Sequence, residues 1–350
     1  MGDMSKRRIC SFLLTAMVVL LIVETIACTA IGAADISFMD ALKAVAFKIN
    51  FLKGIISKSG IKESTVTIIT GIRLPRVILA AFIGSALPVA GASYQGLFKN
   101  SLADPYIVGA SSGGALGAAI AIIIKSKLGI SGFSMVPFFA FAGALISTYV
   151  VYILGRIGGK LSITAMMLSG IAVNSMLSAV LSMLLLFNHE QMDQVIMWTM
   201  GSLQYAGWEQ IEIVAPCIVA GIAVMYFFSR DLNLMMLGEE QAQHLGVNTK
   251  KLKKTILFAG AFITGVSVSV SGIIGFVGVF IPHIARILLG PDNRLTIPFS
   301  AIFGAMFLMI ADSLARTLIS PMEIPVGVLT AGVGGPFFIY LLLKNKNSIE

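Results

Sequence analysis

Charge is scarce in this chain. Asp, Glu, Lys and Arg make up 12% of its 350 residues, about half the share found in a soluble globular domain. Too few charges remain to clothe a water-exposed surface of that size, so a soluble enzyme and a disordered chain are both excluded. Cysteine is scarcer still. Cys10, Cys28 and Cys217 lie in or beside apolar runs without paired spacing, which excludes a disulfide-stapled secreted module. An ATP-binding loop is also missing. In Gly155-Arg156-Ile157-Gly158-Gly159-Lys160-Leu161, Leu154 stands where the first glycine of a P-loop belongs, and Leu161 stands where Ser or Thr would hold magnesium. What is plentiful is apolar: 57% of the chain is hydrophobic and its mean hydropathy is +0.92. At about 20 residues per membrane helix, this is material for roughly ten spans and little else. The expected fold class is all-α, a polytopic membrane protein.

Apolar runs cover residues 9–33, 75–98, 106–125, 133–155, 162–187, 210–229, 255–274, 279–290, 295–319 and 325–343. The first follows Lys6-Arg7-Arg8, as a signal peptide would, and Ile26-Ala27-Cys28 has the look of a lipoprotein cleavage site. Thr25 stands where such a signal prefers Leu, and the run is long enough to cross, so an uncleaved first span is expected. The run 279–290 is too short to cross alone. Spans 7 and 8 should therefore meet at the glycine-rich stretch Gly272-Ile273-Ile274-Gly275-Phe276-Val277-Gly278, because irregular backbone at membrane depth is tolerated only inside protein or along a cavity.

The formal charge of +8 fits basic cytoplasmic loops better than nucleic acid. With both termini in the cytoplasm of a multi-pass cell-membrane protein, the Lys250–Lys254 cluster and the basic N-terminus fall inside. The lysines of segment 34–66 (Lys43, Lys48, Lys53, Lys58 and Lys62) fall outside. Within that segment Leu42, Val45, Ala46, Ile49 and Leu52 recur at helical spacing, which predicts an amphipathic surface helix.

Several constellations have bland explanations. His189, His244 and His283 are scattered and recommend no metal site. Met166, Met167, Met192, Met197 and Met200 suit flexible apolar packing better than soft-metal binding. Gly113 and Gly117, Gly260 and Gly265, and Gly332 and Gly335 suit close helix approach. Glu24 and Asp312 are carboxylates within spans, the material of a proton-coupled secondary transporter. Yet Arg316 lies four residues after Asp312, an ion-pair spacing, and two isolated carboxylates make no relay. A membrane enzyme would need clustered catalytic side chains, and none are found. No catalytic residue, metal or resident cofactor is assigned.

The segment 230–254 is the longest loop expected on the cytoplasmic side. Glu239 and Glu240 suit a helix N-terminus and Gly246 a C-terminal cap, which predicts about two helical turns between Gly238 and Gly246. Leu234, Met235, Met236 and Leu237 precede it, and exposed apolar residues on a loop favour a docked partner.

Further motifs carry a resemblance. Arg73-Leu74-Pro75-Arg76-Val77, Gly91-Ala92-Ser93-Tyr94-Gln95-Gly96-Leu97-Phe98-Lys99-Asn100-Ser101-Leu102-Ala103-Asp104-Pro105 and Gly109-Ala110-Ser111-Ser112-Gly113-Gly114-Ala115 occur in order. So do Met197-Trp198-Thr199-Met200-Gly201-Ser202-Leu203, the Leu237–Gly246 loop, Gly275-Phe276-Val277-Gly278, Pro282-His283-Ile284-Ala285-Arg286, Ala311-Asp312-Ser313-Leu314-Ala315-Arg316 and Glu323-Ile324-Pro325-Val326-Gly327. Over residues 67–344 the chain resembles the FecCD-type permeases, the membrane subunits of ABC importers for iron–siderophores, haem and vitamin B12. One departure is Ser101, where the family usually has proline.

The resemblance implies a type II ABC importer permease with ten spans, working as a homodimer in the lipid bilayer. It implies two ABC ATPase subunits that bind ATP and Mg, an extracytoplasmic solute-binding protein, and a path along the dimer axis lined by spans 5 and 10. By matched position, Arg73, Arg76 and Arg316 would receive carboxylates of the binding protein, a task suited to the planar guanidinium fork. Gly238, Glu239, Glu240, Ala242, Leu245 and Gly246 would form the coupling helix that docks on the ATPase. Asn100, Leu102 and Thr164 would lie near the cytoplasmic gate. The cargo class implied is an iron(III) chelate, haem or cobalamin, with molybdate or tungstate as the alternative within the wider family.

Overall fold

The computed structural model describes residues 3–32, 34, 36–48, 62–129, 135–158 and 160–344. In chain order the helices are α1 (Asp3–Ala30), α2 (Phe38–Lys48), α3 (Glu63–Thr67), α4 (Leu74–Phe98), α5 (Ala110–Leu128), α6 (Met135–Leu154), α7 (Ile163–Leu186), α8 (Met192–Thr199), α9 (Trp208–Phe227), α10 (Ser229–Leu237), α11 (Glu239–His244), α12 (Thr249–Ser271), α13 (Val277–Leu289), α14 (Asn293–Thr317) and α15 (Val326–Lys344). A two-residue hairpin, β1 (Arg156–Ile157) with β2 (Lys160–Leu161), joins α6 to α7. That hairpin lies in the glycine-rich stretch 155–161 that lacks the first glycine and the Ser or Thr of a P-loop.

Each of the ten apolar runs coincides with one helix. Seven are long and apolar enough to cross a membrane, and α13 and α15 carry shorter apolar stretches. In α5, glycine and alanine replace larger side chains and two lysines close the helix. The break between α12 and α13 lies where expected, at residues 272–276. An amphipathic helix is present in the 34–66 segment as α2, while Lys53 and Lys58 lie outside the described residues.

Helix α4 is the central pillar. It has no polar face, and buried residues occur all around it, as expected of a helix enclosed by others. Glycines let α14 approach closely: a Cβ on Gly84 would lie 2.4 Å from the Gly304 carbonyl oxygen, and one on Gly304 would lie 2.1 Å from that of Gly84. Gly113 and Gly143 make the same reciprocal contact between α5 and α6. Gly332 and Gly335 of α15 face open space instead, so packing within one subunit does not explain them.

Upstream of α4 the helix does not end. Residues Ile68–Arg73 form a π-helical turn that joins α3 to α4, and the Leu74 amide reaches back to the Ile69 carbonyl. Pro75 supplies the reason. Its ring has no N–H to offer and would crowd the carbonyl four residues earlier, and a widened turn relieves both problems. The sequence expectation that this span begins at residue 75 is corrected by a helix continuous from Glu63 to Phe98.

The bundle has two distinct ends. At one, Ala41 and Ala44 of α2 pack on Ile69 beside Arg73. At the other, α10 and α11 lie against the start of α12. Single cysteines at Lys43 and Lys251, in a background lacking Cys10, Cys28 and Cys217, are therefore expected to react with a membrane-impermeant maleimide from opposite sides. Labelling of both from one side would contradict this arrangement.

Candidate functional site

The arginine end is built on three helix termini. Arg73 donates from Nη1 to the carbonyls of Thr29 (3.3 Å) and Ala30 (2.7 Å), and from Nη2 to that of Ala34 (2.7 Å). Arg316 Nη2 donates to the Cys28 carbonyl at 3.2 Å. The last carbonyls of a helix have no partner within it, so these two side chains cap α1. Gly32 is the cost of the arrangement in sequence terms, because a Cβ there would lie 2.5 Å from Arg73 Nη2.

Arg76 makes the ion pairs. Its Nε and Nη2 fork onto Asp312 at 2.9–3.0 Å, and Nη1 meets Glu323 Oε2 at 2.8 Å. Arg316 Nε approaches Asp312 Oδ2 at 3.3 Å. The i,i+4 pair expected between Asp312 and Arg316 is thus present, but Arg76 is the closer partner. Nothing in local spacing could have found it, since the two residues are 236 positions apart.

None of the three guanidinium groups stands free. Arg73, Arg76 and Arg316 are 5%, 6% and 7% exposed. They line a cavity of about 250 Å³ together with Ile68, Ser320 and Glu323. Among the described residues, three arginines share this end with two carboxylates, Asp312 and Glu323. Glu323 is the accessible member, with its side chain one-third exposed against 1% for Asp312. Glu24 lies on α1 with its Oε1 buried and without a hydrogen-bond partner among the described residues.

The opposite end carries α10 and α11. Gly238 separates them with φ near +137°, and Gly246 ends α11 with φ near +88°, values that an L side chain rarely adopts. The Val247 amide reaches the Ala242 carbonyl and the Gly246 amide that of Gln243, the bonding of a Schellman cap. Glu239 and Glu240 occupy the first turn. The predicted helix between two glycines is present. Ala242 is fully buried, whereas Leu237 and Leu245 are 61% and 59% exposed.

One expectation here is corrected. Met235 is buried, not exposed, and Leu234–Leu237 belong to a helix and not to a loop. Leu232 and Met235 are three residues apart and turn one face of α10 inward. Met236 and Leu237 remain outward. Beside α11, Lys253 Nζ pairs with Glu239 Oε2 at 2.7 Å. A groove of about 750 Å³ runs between Arg156, Glu240, Lys250 and Lys254.

Of the residues expected at the gate, Asn100 and Leu102 come together: Asn100 Oδ1 accepts the Leu102 amide at 2.9 Å in a turn after α4. Leu102 is half-exposed. Thr164 stands exposed in the first turn of α7, with no hydrogen bond to either among the described residues. Ser101 is exposed in the same turn and needs no proline to shape it, because the Asn100 side chain supplies the turn's hydrogen bond.

The family model described as the FecCD transport family matches residues 17–344. The chain belongs to that family. The FecCD match begins within α1, upstream of the motifs that first suggested it. The chain is 41% identical over 283 residues to the cobalamin import system permease protein BtuC of Halobacterium salinarum, covering 81% of this chain and 75% of that one. It is 39% identical over 284 residues to the hemin transport system permease protein HmuU of Yersinia pestis, covering 79% and 83%. A solved ABC transporter structure assigned to the metal-chelate type, in an inward-facing conformation, superposes with a TM-score of 0.79 at 27% identity, covering 95% of this chain and 99% of the other. The FecCD chain is therefore a multi-pass transporter permease with the type II ABC importer fold.

Proposed function

We propose that this chain is the permease subunit of an ATP-driven importer for a bulky metal chelate or tetrapyrrole, with a separate ATPase chain supplying the energy. The observation that carries the reading is FecCD membership over residues 17–344, joined to relatives named for cobalamin and hemin. Neither of those cargoes is an oxyanion, so molybdate and tungstate recede. Two copies of the chain would form the pathway, with the open faces of α7 and α15 turned toward one another. The α10–α11 end would lie in the cytoplasm, with both chain termini. There the exposed Leu237 and Leu245 would dock on the ATPase.

The arginine end would then face outward to a solute-binding protein. Because Arg73 and Arg316 already cap α1, the replaceable contact is Arg76 with Glu323. An incoming carboxylate would take the place of Glu323 while Asp312 keeps its own fork. Glu323→Gln should therefore tighten binding of the solute-binding protein, by up to about fivefold if the displaced contact is worth the ~0.2–1 kcal/mol of an exposed pair. Surface plasmon resonance against permease in nanodiscs would measure this, and weaker binding would refute the exchange.

The assignment as a whole is tested by purifying the permease with and without its ATPase. The permease alone should hydrolyse no ATP, and the complex should. Hydrolysis by the permease alone would refute it.

A further inference from the structure

Helix α10 does not simply lead to α11; it is fastened to the bundle by partly buried polar groups around the fully buried Asn293. The Asn233 Oδ1 accepts both the backbone amide and the side-chain Nδ2 of Asn293, each at 2.8 Å. The Asn233 Nδ2 donates to Asp292 Oδ1. Asn293, fully buried in the first turn of α14, accepts Arg286 Nη2 of α13 on its Oδ1 at 3.0 Å. That same nitrogen donates to the Ala92 carbonyl of α4 at 3.0 Å, and Nη1 donates to the Pro291 carbonyl at 3.2 Å. Gly96 of α4 makes room, since a Cβ there would lie 3.3 Å from the Asn293 amide.

A continuous run of hydrogen bonds thus joins α10 to α14, α13 and α4. Leu or Met would fill the same volume without desolvating an amide. What the amides and guanidinium add is fixed relative position, because each bond holds only over a narrow range of distance and angle. Two further ties hold α11 to α12: Glu239 pairs with Lys253 through a half-exposed carboxylate, and the exposed Gln243 donates from Nε2 to Thr249 Oγ1 at 2.8 Å. Contacts this open to solvent constrain less.

We infer that Asn233, Asn293 and Arg286 form the joint that passes movement of the ATPase-docking helices to the membrane helices, acting as positioning residues for transport. The inference rests on the docking role proposed for α11, and its test separates the two. The permease carrying Asn233→Ala is assembled with its ATPase in proteoliposomes, and three quantities are measured: subunit co-purification, ATP hydrolysis, and cobalamin or hemin uptake per ATP. Assembly and hydrolysis should persist, while uptake per ATP should fall at least about fivefold, the lower end of the coupling that links distant sites. Arg286→Lys, which cannot span three acceptors with one ammonium, should uncouple in the same way. The double variant should be no worse than the more damaging single change, as expected of residues in one network. Unchanged uptake per ATP in both single variants would overturn the joint. So would loss of assembly in Asn233→Ala, which would make Asn233 part of the docking surface. Failure of the docking role itself shows separately, as normal assembly of a variant altered at Leu245.

Discussion

Replacing Asp312 with Ala is expected to cost this protein most of its stability. The carboxylate is buried and carries the fork of Arg76 and the Nε of Arg316. Removing one partner of a buried pair leaves an uncompensated charge in a low-dielectric site, at about 3–5 kcal/mol. Here two guanidinium groups would lose their partner together. Arg76 holds α4 to α14, and Arg316 holds α14 to the last turn of α1, so one deletion loosens three helices at the same end. The expected result is a large drop in thermal midpoint in detergent, read by fluorescence-detected size exclusion, or failure to accumulate in the membrane. Glu323→Ala is the control. That carboxylate is partly solvated, so its loss should cost under about 1 kcal/mol. Equal stability of Asp312→Ala and wild type would mean that the arginines are solvated snorkelling groups and that the capping of α1 is incidental.

The second large effect is expected at Leu245. It projects from the end of α11, 59% exposed, and is held there by the Schellman cap at Gly246. If it enters an apolar socket of the ATPase, Leu245→Asp buries a charge without a partner. Loss of a central apolar anchor typically weakens an interface by about 2 kcal/mol or more, roughly thirtyfold in affinity. Co-purification of the ATPase should fall to background while the permease itself stays folded, because an exposed side chain contributes little to its own fold. Leu245→Ala should give an intermediate loss. Normal assembly of the Asp variant would remove α11 from the interface.

Which features were legible in the sequence follows from their range. Helix α11 was, because its signals are local: two acidic residues in the first turn, a glycine at each end, and a cap made within six residues. The spans were, because about 20 apolar residues announce a membrane helix by themselves. The break at residues 272–276 was, because a run too short to cross must join its neighbour inside the protein. The arginine cluster was not. Arg73, Arg76 and Arg316 were identified as positions, but their partners are carbonyls of α1 and carboxylates far along the chain, and only the i,i+4 contact of Arg316 with Asp312 had a spacing to betray it. Gly32 was the available clue to a buried neighbour, and it reads equally well as a turn. The burial of Met235 was not, because Arg230-Asp231 after an apolar run reads as the start of a loop; once the stretch is helical, the three-residue spacing with Leu232 puts both inside. The Asn233–Asn293–Arg286 joint left no trace, since single amides in short connections look like solvated polar residues until the helices bring them together.

A separate ATPase is expected to drive this FecCD chain as it carries a metal chelate or tetrapyrrole across the membrane. The measurement that bears on it most directly is uptake of radiolabelled cobalamin, hemin and a ferric siderophore into proteoliposomes. Vesicles would contain the permease alone or the permease with its ATPase, each with and without ATP and with and without an imposed proton gradient. Accumulation of one cargo only when ATPase and ATP are both present, whatever the gradient, is the predicted result. Accumulation by the permease alone under a proton gradient would contradict it, and would return Glu24 and Asp312 to the centre of the mechanism.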